Sequence, residues 1–179
     1  KALLDGLVEE IICAADLPDL PETVEDGATF AENALKKARE ASKVTGLAVL
    51  ADDSGLVVDG LGGRPGVYSA RFAGTDATDT ANNVKLLQEV AGLSQAERSA
   101  AFVCSMAYVS PDGVERLFEG RVEGTIIDQP RGKHGFGYDP LFLVNGYQQT
   151  MAELPLEEKN RISHRGQALR AFKNFLGGA

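Results

Sequence analysis

Only two cysteines and two histidines occur among the 179 residues, and that scarcity removes several chemistries at once. Cys13 and Cys104 lie far apart and belong to no Cys-x-x-Cys pattern. Cys104 sits inside the apolar run AAFVCSMAYV, so both read as reduced core residues. With His134 and His164 as the only imidazoles, zinc lacks ligands. The oxygen donors that remain point to magnesium, with manganese as a possible substitute. No apolar stretch approaches the roughly 20 residues of a bilayer span. Lys1 to Gly6 does not lead into an apolar export segment with a small-residue cleavage site, so no membrane partner is expected and the expected compartment is the cytosol. Basic residues are also in short supply, with 18 Lys+Arg against 26 Asp+Glu and a net charge of -8. Nucleic acid is therefore not the expected partner, because phosphate neutralisation supplies most of that affinity. No Ser or Thr follows Lys133, so there is no Walker A loop; the Rossmann GxGxxG, the GxSxG elbow and the Nudix RExxEExG box are absent as well.

What is present suits a single domain over 1–179, with 44% hydrophobic residues available for its core. The charge is unevenly placed. Residues 1–130 hold 11 Lys+Arg and 22 Asp+Glu, whereas residues 131–179 hold 7 and 4. An acidic part and a basic part suit a metal ion and a polyphosphate respectively, and ordinary surface variation explains the same numbers equally well.

Periodicity and punctuation give the elements. Residues 1–6 read as a helix end, and Leu7 to Ala15, with Val8, Ile11 and Ile12, as a strand. Thr29 opens an alanine-rich helix to about Lys43, stopped by Gly46. Leu47 to Ala51 is a short buried strand ending at Asp52, and LVVDGLGG continues as a second strand and turn. GGRPGVYSARFAG is a glycine-rich loop, followed by a helix near Asp79 to Ala91. Ala100 to Val109, the turn Pro111-Asp112-Gly113 and the run from Val114 form a hairpin, with Gly124 to Ile127 read as its extension. A loop over Gly132 to Pro140, a strand at LFLV, and a helix capped by Ser163 and ending at Gly177 complete the chain. Interleaved helices and strands with a hairpin predict an α/β domain on a mixed sheet.

Four segments carry chemistry. ADDSG at a strand exit places two acids where α/β proteins hold ligands. Asp53 can ligate magnesium or take a proton from water, and Ser54 can donate to a phosphate oxygen, although Asp, Ser and Gly also simply form turns. Glu32 completes a capping box with Thr29, and it is equally placed to reach a metal from the start of the helix. In GKHGFGYDP, Phe136 and Tyr138 offer stacking faces, Gly137 gives flexibility, and Asp139 offers an acceptor for a nucleobase edge. Lys159, Arg161, His164 and Arg165 gather before and within the first turn of the last helix, where phosphate binds well. A solvated charged turn reads the same way.

Taken in order, TFAENALKKAR, LADDSGLVVDGLGGRPGVYSARFAG, GFGYDPLF and the spaced AEL, EEKN and ISHRGQAL resemble the inosine triphosphate pyrophosphatase family, the Ham1-like or RdgB-like non-canonical purine NTP pyrophosphatases, from about Thr29 to Leu169. The resemblance implies a mixed α/β fold with a long central sheet, a cleft between two lobes, a homodimer, and hydrolysis of ITP, dITP and XTP to the monophosphate and pyrophosphate. It implies Asp53 as catalytic base and metal-associated acid, with Glu32 contributing to the metal site. Ser54, Phe136, Gly137, Tyr138, Asp139, Lys159, His164 and Arg165 fall on its substrate-binding positions. The family also begins with a strand and a Thr-x-Asn-x-x-Lys phosphate-binding segment that these residues lack, so the expectation is a natural chain extending before Lys1. Maf-like nucleotide pyrophosphatases and a non-catalytic nucleotide sensor are the rival readings, separated by base preference and by turnover.

Overall fold

The computed structural model describes Leu4 and residues 6–178. The helix end read at residues 1–6 lies largely outside the described residues. Helix α1 (Phe30–Thr45) begins where Thr29 accepts the Glu32 amide through its side chain and stops at Gly46, whose φ of 69° only glycine adopts readily. It is followed by β1 (Val49–Val58), α2 (Asp79–Val90), β2 (Ser99–Val109), β3 (Glu115–Ile126), β4 (Phe142–Val144), α3 (Leu156–Ile162) and α4 (His164–Leu176). The four strands form one sheet in the order β1-β2-β3-β4. Helices and strands interleave in an α/β arrangement, and every described pairing is antiparallel.

Several expectations change. Leu7 to Ala15 is not a strand: it is irregular chain with a short 3-10 turn at Ala14–Asp16. Leu7, Val8 and Ile12 are exposed, so its β-branched composition finds no sheet edge to pair with. The two short strands around ADDSG are one ten-residue strand, in which every residue from Val49 to Val58 has a partner on β2. Pairing along the whole length outweighs the turn preference of Asp, Ser and Gly. The basic cluster spans two helices, because Ser163 breaks the helical path between α3 and α4 and accepts the Gly166 amide as the cap of α4. The loop GGRPGVYSARFAG winds into a 3-10 helix at Gly66–Arg71.

Strand periodicity then decides what each face carries. Val49 and Ala51 pack with Ala107 and Val109 against Ala34 and Ala38 of α1. Leu50 packs with Cys104, Met106 and Phe118 against Ala168 and Leu169 of α4. Farther along the α4 face, Leu56, Val58, Phe102, Val122 and Phe142 join Leu86 and Val90 of α2 in the main core. Where α2 and the α3–α4 pair separate, a cleft opens over the sheet. Among the described residues no helix is long and apolar enough to cross a membrane.

Candidate active site

The cleft is a cavity of about 670 Å³ whose floor includes Ser54, Leu56 and Phe102 of the sheet. One wall comes from Asp79 and Asn82 of α2 with the loop at 134–139, and the other from Lys159 and Asn160 of α3 with Ser163, His164 and Arg165. Eight residues singled out in the sequence thus border one space: Ser54, Phe136, Gly137, Tyr138, Asp139, Lys159, His164 and Arg165. Arg161 does not join them. Its guanidinium donates to Glu158 and to the Tyr147 hydroxyl.

The loop is held from several directions. The Gly137 amide donates to Asp79 at 2.6 Å, and Asn83 donates to the Gly137 carbonyl at 2.9 Å. The Tyr138 hydroxyl donates to the Ser69 carbonyl at 2.8 Å, and burial followed by the Asp79 charge raises its pKa well above the ordinary phenol. Asp139, read as a nucleobase acceptor, is buried and already engaged by the Phe136 amide and the Lys159 ammonium. It shapes the loop and aims Lys159. Phe136 is left 61% exposed. Lys159 and Arg165 lie 5.3 and 5.5 Å from the centre of its ring, so the loop presents an aromatic face flanked by two cations.

His164 stacks on Phe102 with ring centres 5.1 Å apart. Burial, and then the Arg165 cation, push its pKa down to about 3, so the imidazole is neutral. Its Nδ1 is buried without a hydrogen-bond partner. A buried polar atom left unpaired on a cavity wall costs stability unless a ligand satisfies it.

Asp53 stands on the other face of β1. It is buried; Asn33 Nδ2 donates to one carboxylate oxygen at 3.0 Å, and the Lys37 ammonium lies 3.4 Å from the other. Lys37 also lies 3.0 Å from Glu25, so one ammonium sits between two carboxylates. Asn33 is itself fixed by the Gly27 amide at 2.8 Å. Asn33, Lys37 and Glu25 escaped the reading of the sequence. The available signal was the i, i+4 spacing of Asn33 and Lys37 beside the small buried residues Ala34 and Ala38. Glu32 serves as a cap: its carboxylate accepts the Ala28 amide at 2.7 Å, while its own amide donates to Thr29 at 3.1 Å.

Adjacent Asp52 points to the α4 face, where Arg165 Nε and the Ser54 hydroxyl both donate to its Oδ2 at 2.9 Å. The pair Asp52-Asp53 therefore does not form one chelating unit, since neighbours on a strand project to opposite sides.

A family model described as Ham1 family matches residues 1–175. A dITP/XTP pyrophosphatase of Geobacter sulfurreducens is 57% identical over 176 residues, covering 98% of this chain and 88% of that one. A dITP/XTP pyrophosphatase of Bacillus licheniformis is 50% identical over 179 residues, covering 100% and 91%. Among solved structures, the Staphylococcus aureus Ham1 protein matches with a TM-score of 0.89 at 43% identity over 94% of this chain and 87% of its own. A HAM1 protein from Coxiella burnetii matches with a TM-score of 0.85 at 47% identity over 89% and 82%.

Proposed function

The chain belongs to the Ham1 family, and from that premise we propose that it is a nucleoside-triphosphate pyrophosphatase that splits dITP, XTP and ITP into the monophosphate and pyrophosphate. The observation that carries the reading is the lining of the cavity itself: an exposed Phe136 with Lys159 and Arg165 close to its ring, and a neutral His164 with an unsatisfied nitrogen. A purine stacks on the ring, and the surrounding donors meet its 6-oxo edge. Adenine presents an amino group there and leaves such donors unpaired, a mismatch that costs far more than lost contact area.

Asp53 is the proposed base. Asn33 fixes one of its oxygens, and in that position it would orient water or take its proton for attack on the α-phosphorus, with pyrophosphate leaving. Lys37 carries positive charge beside the same acid and favours charge developing on phosphate oxygens.

Magnesium, with manganese as a substitute, is the proposed cofactor. The donor set fits a hard cation, because Asp53 and Glu25 supply carboxylate oxygens at a point already occupied by the Lys37 ammonium. Among the described residues no group of three or more His, Cys, Asp or Glu could hold a metal unaided. That accords with an ion carried by one or two carboxylates together with substrate phosphates. Asp53 would hold it with a second carboxylate, either Glu25 or the capping Glu32, and the bound ion supplies charge neutralisation at the phosphates.

The test is product analysis of the full-length protein with dITP, XTP, ITP, ATP and GTP in the presence of magnesium. Monophosphate and pyrophosphate from the first three are expected. Release of orthophosphate and a diphosphate overturns the cut, equal turnover of ATP overturns the base preference, and binding without turnover favours a sensor. Sedimentation of the same protein tests the homodimer that belongs to this reading.

A further inference from the structure

Asp52 takes no part in the chemistry proposed above, yet it holds two groups that line the cavity with one oxygen. Ser54 Oγ and Arg165 Nε both donate to Asp52 Oδ2 at 2.9 Å, across 113 residues of chain in the second case. A serine hydroxyl has one proton. With that proton on Asp52, Ser54 can turn only lone pairs toward the cavity. Cys104, directly across the strand pair from Ser54, is kept a thiol by burial, which raises its pKa to about 11 although the Ser54 hydroxyl lies beside it; its sulfur is only a weak acceptor, and the Asp52 carboxylate at 2.9 Å is the stronger partner for the proton. Arg165 spends Nε on Asp52 and keeps its two Nη groups, which can only donate. Its guanidinium already lies over the Phe136 ring. Because both groups share one oxygen, they are held as neighbours.

We propose that Asp52 is a specificity-determining positioning residue: it fixes Ser54 as an acceptor and Arg165 as a donor, side by side in the cavity where the purine stacks. That pattern complements the N1–H donor and O6 acceptor of hypoxanthine or xanthine. It opposes adenine, which presents an acceptor at N1 and a donor at the 6-amino group. The proposal rests on the reading of the cavity as a purine site and adds the residue that sets its polarity. Without the carboxylate, the Ser54 hydroxyl rotates freely and can donate to adenine N1, and Arg165 loses its anchor.

The experiment compares kcat and KM for dITP and dATP in the full-length protein and in Asp52→Asn, Asp52→Ala and Ser54→Ala, with melting temperatures as a check on folding. Loss of a charge-assisted hydrogen bond that aligns a donor predicts about a tenfold fall in kcat/KM for dITP, carried mainly by KM. The preference for dITP over dATP falls by a similar factor in Asp52→Ala and by less in Asp52→Asn, whose amide oxygen still accepts but without the charge. A role limited to stability lowers the melting temperature and both substrates alike, leaving the preference intact, and that result overturns the proposal; unchanged kinetics overturn it as well. Should Asp52→Ala fail to fold, the near-isosteric Asp52→Leu, which lacks the acceptor oxygen that Asn keeps, decides in its place. If the unaltered protein does not hydrolyse dITP, the functional reading fails separately. The proposal is then judged by calorimetric binding of IMP against AMP, whose ratio must collapse on Asp52→Ala, or on Asp52→Leu if that variant does not fold, for it to stand.

Discussion

Gly120 in β3 lies beneath the first turn of α4, and replacing it with alanine is expected to lift that turn. A Cβ there would stand 2.8 Å from the carbonyl carbon of His164 and 2.9 Å from the Ala168 amide nitrogen, with the His164 carbonyl oxygen nearer still. All three are backbone atoms, so no change of rotamer relieves the overlap, and α4 has to withdraw by about an ångström to restore ordinary contact. Such overpacking costs about 1–3 kcal/mol, while alanine recovers about 0.5–1 kcal/mol of glycine's entropic penalty in a strand. A net loss of about 1–2 kcal/mol corresponds to a fall of about 2–8 °C in melting temperature for a domain of this size. His164 and Arg165 ride on the displaced turn, whereas Asp53 and its partners occupy the other face, so KM for dITP should rise more than kcat falls. Scanning calorimetry with steady-state kinetics on Gly120→Ala reads both. An equal or higher melting temperature together with unaltered KM would refute the packing argument.

His164 gives a pH dependence. Its imidazole protonates at about 6.5 in the unfolded chain but is held at about 3 in the fold, so the unfolded state binds more protons across that window. Its contribution to stability is present above the upper value and is lost as pH falls toward the lower one. His164→Phe should flatten the fall in melting temperature between about pH 7 and about pH 4.5, and an equally steep fall would dismiss His164 as its source. Asp53→Asn should fold yet lose about a hundredfold or more in kcat; near-normal turnover removes Asp53 from catalysis. Glu25→Gln and Glu32→Gln identify the second acid: Glu25, which shares Lys37 with Asp53, should show the larger increase in magnesium needed for half-maximal rate, and the reverse order assigns that place to Glu32. Lys159→Ala should raise KM about tenfold at low salt, with less effect as salt screens the substrate's charge. A KM unaffected at low salt takes Lys159 out of the triphosphate's reach.

Helix α1, the long hairpin and α4 were legible because each carries local signals that tertiary contacts reinforce. Thr29 and Gly46 cap one helix, Ser163 caps another, and Pro111-Asp112-Gly113 turns the chain between β2 and β3. The cavity was legible because its residues cluster in two short segments, 134–139 and 159–165, and Ser54 is the distant addition. What stayed hidden depended on pairing. Nothing local in Asp52-Asp53-Ser54-Gly55 tells a turn from a strand; the ladder to Met106, Ser105, Cys104 and Val103 decides it. Lys37, with Glu25 on its other side, meets Asp53 only because α1 packs on that face of the sheet. Asp139 looked free for a ligand, since its partner Lys159 lies 20 residues away in sequence.

That one strand-or-turn decision redistributes the chemistry. In a turn, Asp52 and Asp53 could converge on a single cation. In a strand they diverge, and each then needs its own partner because a partly or fully buried carboxylate without one is costly. The partners supply the division of labour: Lys37 and Asn33 on the α1 face attend Asp53, while Arg165 and Ser54 on the α4 face attend Asp52. A single peptide unit thus joins the acid proposed for the phosphate chemistry to the acid proposed for reading the base. The spacing between those two functions is set by the pleat of β1, locked by pairing along its whole length, and does not depend on a mobile loop. A substrate whose base fits the α4 side is held at a fixed offset from Asp53, and a base that fits poorly loses alignment at the phosphate as well as affinity.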